Sequence, residues 1–550
     1  MSNIIYVGFC AASKSSTNVA TINFGFPANT STNVNLVSGL PPGFEPLGPS
    51  SRRTGLVISE IMYHPKRRSD GRDIEYLEIF NSQPFSEDLS GYRISGAISY
   101  EFPQGTILRG GNFIVIAKSP HDIVDIYGIT NVLGPYQGRL ENSKGVVQLE
   151  NRLGAILLSA HFSGDPPWPC AADGSGHSLV LGRPSYGESD VRAWKLSSQI
   201  GGSPGKPEPI SIEPLNMICI NEFLAEGVKG AQGFIELYNH STNQVDISGC
   251  IITDDPDIPR YIIPNGTKLG GGGFYAVDRS KLGFDLRRDG QKLFLFAPQM
   301  SRVIDAIRFS PQRIGVSYGR YPNGNDAIVE LSRPTQAAPN SFPLIHDVVI
   351  NEIYYNPVSG DSNDEFIELF NKGTNWVDIS GWRFTDGVSF EMPTGTRLAP
   401  GSFAVVTKNI ERFRENYGEI TNAIVLGNFS GSLANSGERI ALSEPDFVII
   451  TNRDGSLITN RIWLTVDDVR YYDGGQWGEW ADGGGSSLEL KDPNSDNSLA
   501  SNWADSDESG KAEWTIIENT GVLDLGYSGY GIGSIEILML GPGECLVDDV

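Results

Sequence analysis

The stretch Asp364-Glu365-Phe366-Ile367-Glu368-Leu369-Phe370-Asn371 decides the fold, because the chain writes it three times. It recurs as Asp73-Ile74-Glu75-Tyr76-Leu77-Glu78-Ile79-Phe80-Asn81 and as Gly233-Phe234-Ile235-Glu236-Leu237-Tyr238-Asn239. Read with period two, Ile367 and Leu369 point to one face, and Glu368 points to the other with Phe366 and Phe370. Asn371 offers a turn-forming side chain where the strand stops. This is the pattern of a half-buried β-strand, and its repetition makes the repeat unit the first thing to define.

Working outward, a second strand precedes each copy: Val57-Ile58-Ser59-Glu60-Ile61, Cys219-Ile220-Asn221-Glu222-Phe223 and Val349-Ile350-Asn351-Glu352-Ile353. A Ser-Gly turn lies thirteen residues beyond Glu78, Glu236 and Glu368, ending at Gly91, Gly249 and Gly381. A Pro-x-Gly-Thr turn follows at Pro103, Pro264 and Pro393, and ten residues beyond each proline an aromatic opens a hydrophobic strand (Phe113, Phe274, Phe403). The intervals hold while the loops between repeats vary. Chance does not produce that.

This ordered set of strands and turns resembles the lamin-tail domain over roughly 54–205, 215–340 and 345–506, most of the chain. The resemblance implies three immunoglobulin-like antiparallel β-sandwiches in tandem, an all-β chain, and a non-catalytic module of the kind found in large secreted bacterial proteins. Copy two departs most: Cys250 stands where copies one and three have Tyr92 and Trp382, and it lacks the Trp-led turn described below. The expected domains are 54–205, 206–340 (with a linker at 206–214) and 345–506. Residues 1–27 resemble the last hairpin of a concanavalin-like lectin sandwich, 28–53 form a stiff polar linker, and 507–550 resemble the start of a galactose-binding-like jelly roll. Both ends are therefore expected to be parts of domains within a longer polypeptide.

Composition agrees with several small β cores. The chain has 550 residues with 64 Gly and 33 Pro, and single cores stop growing near ~250–300 residues. No amphipathic helical stretch exceeds about three turns, Ile410–Tyr417 being the best short candidate. A formal charge of −24 marks an acidic, solvated surface and argues against nucleic acid, whose phosphates call for clustered Lys and Arg. No apolar run is long enough to span a membrane, and Met1–Gly8 is not a signal peptide. The five cysteines (Cys10, Cys170, Cys219, Cys250, Cys545) give neither metal spacing nor a disulfide framework. Cys219 and Cys250 lie in two strands of one copy, which leaves pairing open beside the commoner role of small core hydrophobes.

Copy one closes with Trp168-Pro169-Cys170-Ala171-Ala172-Asp173-Gly174 and copy three with Trp477 through Ala481-Asp482-Gly483; Trp168 and Trp477 each stand ten residues before a Ser (Ser178, Ser487). These tryptophans are expected to cap an open sandwich end. The alternative is a stacking platform for a sugar ring, so Trp168, Trp477 and Trp480 are the candidate ligand-binding residues, with Trp480 the more exposed. Gly201–Pro214 reads as a linker between copies one and two, and Ala337–Leu344 as a short bridge between two and three. An insertion in copy three around Phe447–Trp463 reads as a hairpin with a Gly-bearing turn.

The repeated glutamates (Glu75, Glu78, Glu236, Glu365, Glu368) invite comparison with a glycosidase acid–base pair. They alternate on a pleated strand and recur in every copy, so they read as solvated strand faces. The six histidines are dispersed, and no serine-hydrolase elbow or phosphate loop occurs. Asp492-Pro493-Asn494-Ser495-Asp496 resembles the start of a calcium loop but lacks its closing Gly and Glu, so an Asx-turned loop is the plainer reading. The expectation is a non-catalytic extracellular or cell-surface segment, without catalytic residues, cofactor or metal. It would act as a monomeric spacer or as a module binding protein or polysaccharide. A different class, the accessory region of a secreted carbohydrate-active or nuclease-like enzyme, remains open.

Overall fold

A computed structural model of the protein describes residues 45–507, except 52, 210–212, 452–455 and 475. The lectin-like hairpin, most of the 28–53 linker, the jelly-roll-like start, and Cys10 and Cys545 lie outside the described residues.

The described chain is all-β, with sheets that pair into three sandwiches. In copy one, a six-stranded sheet runs in the order Trp194–Leu196, Leu179–Leu181, Leu56–Met62, Tyr76–Asn81, Phe113–Ala117, Val132–Leu133. It packs on five strands that include Arg93–Gly96, Lys144–Glu150 and Ile156–Ser163. Copy two sets five strands centred on Ile218–Leu224 and Phe234–Asn239 against four centred on Ile251–Thr253 and Gln291–Phe296. Copy three sets six strands centred on Val348–Tyr354 and Phe366–Asn371 against three, Arg383–Asp386, Arg439–Thr451 and Leu457–Arg470. Each pair encloses its own core, and the period-two reading holds: Leu77, Ile79, Ile235, Leu237, Ile367 and Leu369 are all fully buried there.

The two glutamate-bearing strands are equivalent in all three copies. They pair antiparallel with Glu60 opposite Glu78, Glu222 opposite Glu236 and Glu352 opposite Glu368, and each first strand bulges one residue earlier, at Ser59, Asn221 or Asn351. A bulge strengthens local twist and re-aims side chains. The Ser-Gly turns also match, with Gly91, Gly249 and Gly381 at φ 72°, 74° and 72°. That is a left-handed conformation which a Cβ disfavours.

The antiparallel expectation needs one amendment. In copies one and three the outermost strand of the large sheet runs parallel to its neighbour: Val132–Leu133 beside Phe113–Ala117, and Ala423–Gly427 beside Phe403–Thr407. The cause is a short helix in each connection, α1 (Pro120–Tyr127) and α2 (Ile410–Tyr417), since parallel neighbours require a crossover. Proline opens α1 and Gly128 closes it in the left-handed conformation, while the Asn409 side chain caps the first amides of α2. Ile123 and Phe413 bury the inner sides of these helices against the outer face of the sheet.

The copies are not separate bodies on linkers. Ala171 of copy one enters an apolar cluster with Ile251, Phe294, Phe296 and Val303 of copy two. Lys292 of copy two bonds the carboxylate of Asp173, Arg308 pairs with Asp165 at 2.8 Å, and Lys66 with Asp257 at 2.9 Å. The two strands of the expected hairpin of copy three pair (its Gly-bearing turn, 452–455, lies outside the described residues), and its base docks on copy two, where Arg288 bonds Asp446 and Arg313 bonds Glu444. Arg288 is only 7% exposed there, so removing its partner would leave a charge stranded in the interface.

Candidate functional site

The outer face of each large sheet is where the structure departs furthest from the expectation of solvated strands. Glu60, Glu78, Glu222 and Glu236 are at most 1% exposed, and Glu365 is 2% exposed. The reason is that the chain, on leaving copies one and two, folds back across this face as a strap. In copy one the Ser203 amide donates to Glu60 at 3.0 Å and the Gly205 amide to Glu78 at 2.6 Å. In copy two the Thr335 amide and hydroxyl donate to Glu222 at 2.9 and 2.8 Å, and the Ala337 amide to Glu236 at 2.5 Å. The presumed linker at Gly201 and bridge at Ala337 are thus these straps, and residues 201–204 are buried.

The two straps share a pattern, Ser203-Pro204-Gly205-Lys206-Pro207 and Thr335-Gln336-Ala337-Ala338-Pro339: a hydroxyl residue, then Gly or Ala two later, then Pro two later. The middle residue has positive φ in both, 80° at Gly205 and 62° at Ala337, which turns its amide toward the second carboxylate. This spacing is visible in the sequence. It goes unread because nothing local says that the segment reaches a strand more than a hundred residues upstream.

The remaining carboxylate bonds repeat in all three copies. The bulge residue donates to the second Glu: Ser59 to Glu78 at 2.7 Å, Asn221 to Glu236 at 3.2 Å, Asn351 to Glu368 at 2.9 Å. A serine just before the neighbouring strand donates to the first Glu: Ser178 to Glu60, Ser317 to Glu222 at 2.6 Å, Ser487 to Glu352 at 2.5 Å. Burial pushes the Glu60 and Glu236 carboxyls up to about 7, and raises Glu78 well above its ordinary value, with the neighbouring Glu60 charge adding to the effect. Glu75 and Glu365 serve a different purpose. Each binds the amide of a loop residue, Leu140 at 2.7 Å and Leu433 at 2.9 Å, and burial raises Glu365 to about 7. Every repeated glutamate is thus spoken for by hydrogen bonds within its own copy.

Of the candidate tryptophans, Trp168 is 9% exposed and packs on Trp194 with ring centres 6.4 Å apart. It closes the core of copy one and leaves no face for a sugar. Trp477 packs in the same way on Trp503 at 6.1 Å and is partly buried. Trp480 is 45% exposed and lies over Gly484, where a Cβ would meet both its ring and its carbonyl within 3 Å. The structure does not bring the three rings to one surface. The Asp of each Trp loop ties back to the first strand's end: Asp173 accepts from His64 at 2.6 Å and Asp482 from Asn356 at 2.7 Å.

Cys170, Cys219 and Cys250 are free and buried, with burial pushing the Cys219 thiol up to about 12. Asp492 and Asp496 spend a carboxylate oxygen each on amides two residues on, Asn494 at 2.9 Å and Ser498 at 3.0 Å, which is an Asx turn at both positions. Among the described residues no cluster of His, Cys, Asp and Glu is arranged to hold a metal, and no helix is long and apolar enough to cross a membrane.

No curated protein matches the chain. Among solved structures, a DUF4876 family protein from Bacteroides thetaiotaomicron is 11% identical, with 47% of this chain and 78% of that one covered. Its TM-score of 0.18 is too low to bear on the fold. The Lamin Tail Domain family model matches residues 49–161, 213–310 and 344–465, one segment in each sandwich. The chain belongs to the lamin tail domain family, as three tandem immunoglobulin-like copies.

Proposed function

We propose that the chain is a non-catalytic structural or adhesion segment of an extracellular or cell-surface protein, in which three docked sandwiches set the spacing of whatever flanks them. The observation that carries this reading is the docking itself. Copies one and two share an apolar cluster and ion pairs, and copy three reaches copy two through Arg288 and Arg313. Such contacts fix relative orientation, whereas modules joined by flexible linkers reorient freely. The repeated carboxylates support it from the other side. A general acid and base must face a substrate across a cleft, while these face their own chain. The test is a hydrolase screen of the purified chain on glycans, esters, phosphoesters and peptides. No turnover is expected, and a turnover abolished by Glu368→Gln overturns the reading.

The exposure of Trp480 favours a second reading, sugar stacking at the Trp loop of copy three. Affinity electrophoresis in soluble polysaccharides, with Trp480→Ala beside the parent, decides it. Retardation lost in the variant supports stacking, and equal mobility of both rejects it.

A further inference from the structure

Copy one shows how a Trp loop docks. Its Ala171 enters the outer face of copy two's smaller sheet among Ile251, Phe294, Phe296 and Val303, while Asp173 takes Lys292 from the same face. The loop of copy three is built alike. Asp173 bridges to His64 and Asp482 to Asn356, and each aspartate amide donates to the carbonyl three residues back, on Cys170 and Glu479. Trp480 therefore stands in the place of Ala171, and Asp482 in that of Asp173. Asp482 spends Oδ1 on Asn356 as Asp173 spends Oδ1 on His64. Here, however, the loop is open. Trp480 is exposed, and so are Asp473, Glu479 and Asp482 beside it. The loop offers an indole amid three carboxylates.

A matching surface lies on the hairpin of the same copy. Its register sets Phe447 opposite Arg461 and Pro445 opposite Trp463, which puts Phe447, Ile449, Leu457, Arg461 and Trp463 on one side. The other side carries Glu444 and Asp446, which hold copy two. The first side continues the outer face of copy three's smaller sheet, the equivalent of the face that receives Ala171. Ile449 and Leu457 on it are 70% and 67% exposed. It is also cationic. The Arg461 guanidinium lies 5.9 Å from the Phe447 ring and 5.4 Å from the Trp463 ring, and it meets Glu391 only at 4.0 Å. Arg383, paired opposite Ser443, lies over Trp463 at 4.4 Å with its Nε unbonded among the described residues.

We propose that the Trp loop of copy three docks on the hairpin's outer face in a second copy of this chain, joining molecules head to tail. Trp480 packs against Phe447, Ile449 and Leu457, as Ala171 packs in copy two. The loop's carboxylates pair with Arg383 and Arg461, as Asp173 does with Lys292. A second copy is the occupant because one chain carries both halves, opposite in charge and both exposed. The contact is heterologous, so each added molecule presents a fresh loop and a fresh hairpin, and assembly does not stop at a dimer. This goes beyond the spacer reading, and its failure leaves that reading in place.

The experiment is analytical ultracentrifugation of the full chain. The weight-average mass is expected to climb past that of a dimer as the concentration approaches the millimolar range. Trp480→Ala removes the loop's half of the contact and Ile449→Asp the hairpin's half. Both side chains are exposed, so each variant should keep the parent's melting temperature while its association weakens about thirtyfold. Mixed in equal amounts, the two variants bring together one intact loop and one intact hairpin, and dimers that grow no further are expected. A parent chain that stays monomeric at every concentration overturns the proposal. So does association unchanged in either variant, or a mixture of the two that stays monomeric.

Discussion

At the scale of single residues, the structure is governed by polar groups that the strand pattern places outside but the chain covers. Asn81, Asn239 and Asn371 are fully buried at the ends of the three decisive strands. Each donates to at least two carbonyls of the following arch, as Asn371 does to Asn375 at 2.9 Å and Leu398 at 3.0 Å, and accepts an amide two residues on. Asn371→Ala strands these groups, so its unfolding free energy should fall by about 2–3 kcal/mol in urea melts. The glutamates predict a pH response. Their folded pKa values are raised, to about 7 for Glu60, Glu236 and Glu365, above an unfolded value near ~4.3. The folded state therefore binds more protons between those values, and stability falls as pH rises through that window. Asp173, Glu330 and Asp364 are lowered instead, and their contribution is lost only in more acid solution. The melting temperature should accordingly be higher near pH 5.5 than near pH 8. Glu78→Gln, which mimics the protonated form, should flatten that rise, and a melting temperature unchanged across this range would show the carboxylates to be solvated. Period two told inside from outside here, but it could not say that the outside of a strand is roofed.

At the scale of elements, the straps do for copies one and two what a further layer would do in a larger domain. Gly202 shows how tight the fit is: a Cβ there would meet the Glu60 carboxylate at 2.2 Å and the Tyr76 hydroxyl at 2.3 Å. Gly202→Ala should dislodge the copy-one strap, read as faster hydrogen exchange over residues 199–206 with the core strand Tyr76–Asn81 still protected. Equal exchange in both proteins would mean that the strap does not depend on its contacts. Repeats, turns and the inserted hairpin were legible in the sequence because their signals are local spacings. Helix α1 was not, since only Ile123 of its eight residues is buried and its role is to return the chain to a sheet edge. The strap was not, because its partners lie 127 residues away for Gly205 and Glu78.

At the scale of the whole molecule, the account turns on whether three sandwiches behave as one body. Copy one offers copy two an uncharged pin, His177, whose Nδ1 donates to the Ser197 carbonyl at 2.8 Å while Nε2 accepts the Val303 amide at 3.1 Å. Burial depresses its pKa to about 4, so it stays neutral and accepting above that pH. His177→Ala should leave the core of copy one folded and loosen the joint to copy two, read as faster exchange at Val303. None of this docking was legible in the repeat pattern: Asp173 recurs as Asp482 but meets Lys292 only in copy one, and His177, Arg288 and Asp446 are not repeated from copy to copy. The most direct measurement is a pulsed electron paramagnetic resonance distance between spin labels at Leu153→Cys in copy one and Trp376→Cys in copy three, sites 88% and 60% exposed. Cys10 and Cys545 would be changed to Ser, leaving as background only the buried Cys170, Cys219 and Cys250. A docked assembly gives one narrow distance distribution, broadened when Asp446 and Glu444 are both changed to Ala. A broad distribution in the parent chain, unaltered by those changes, would contradict it.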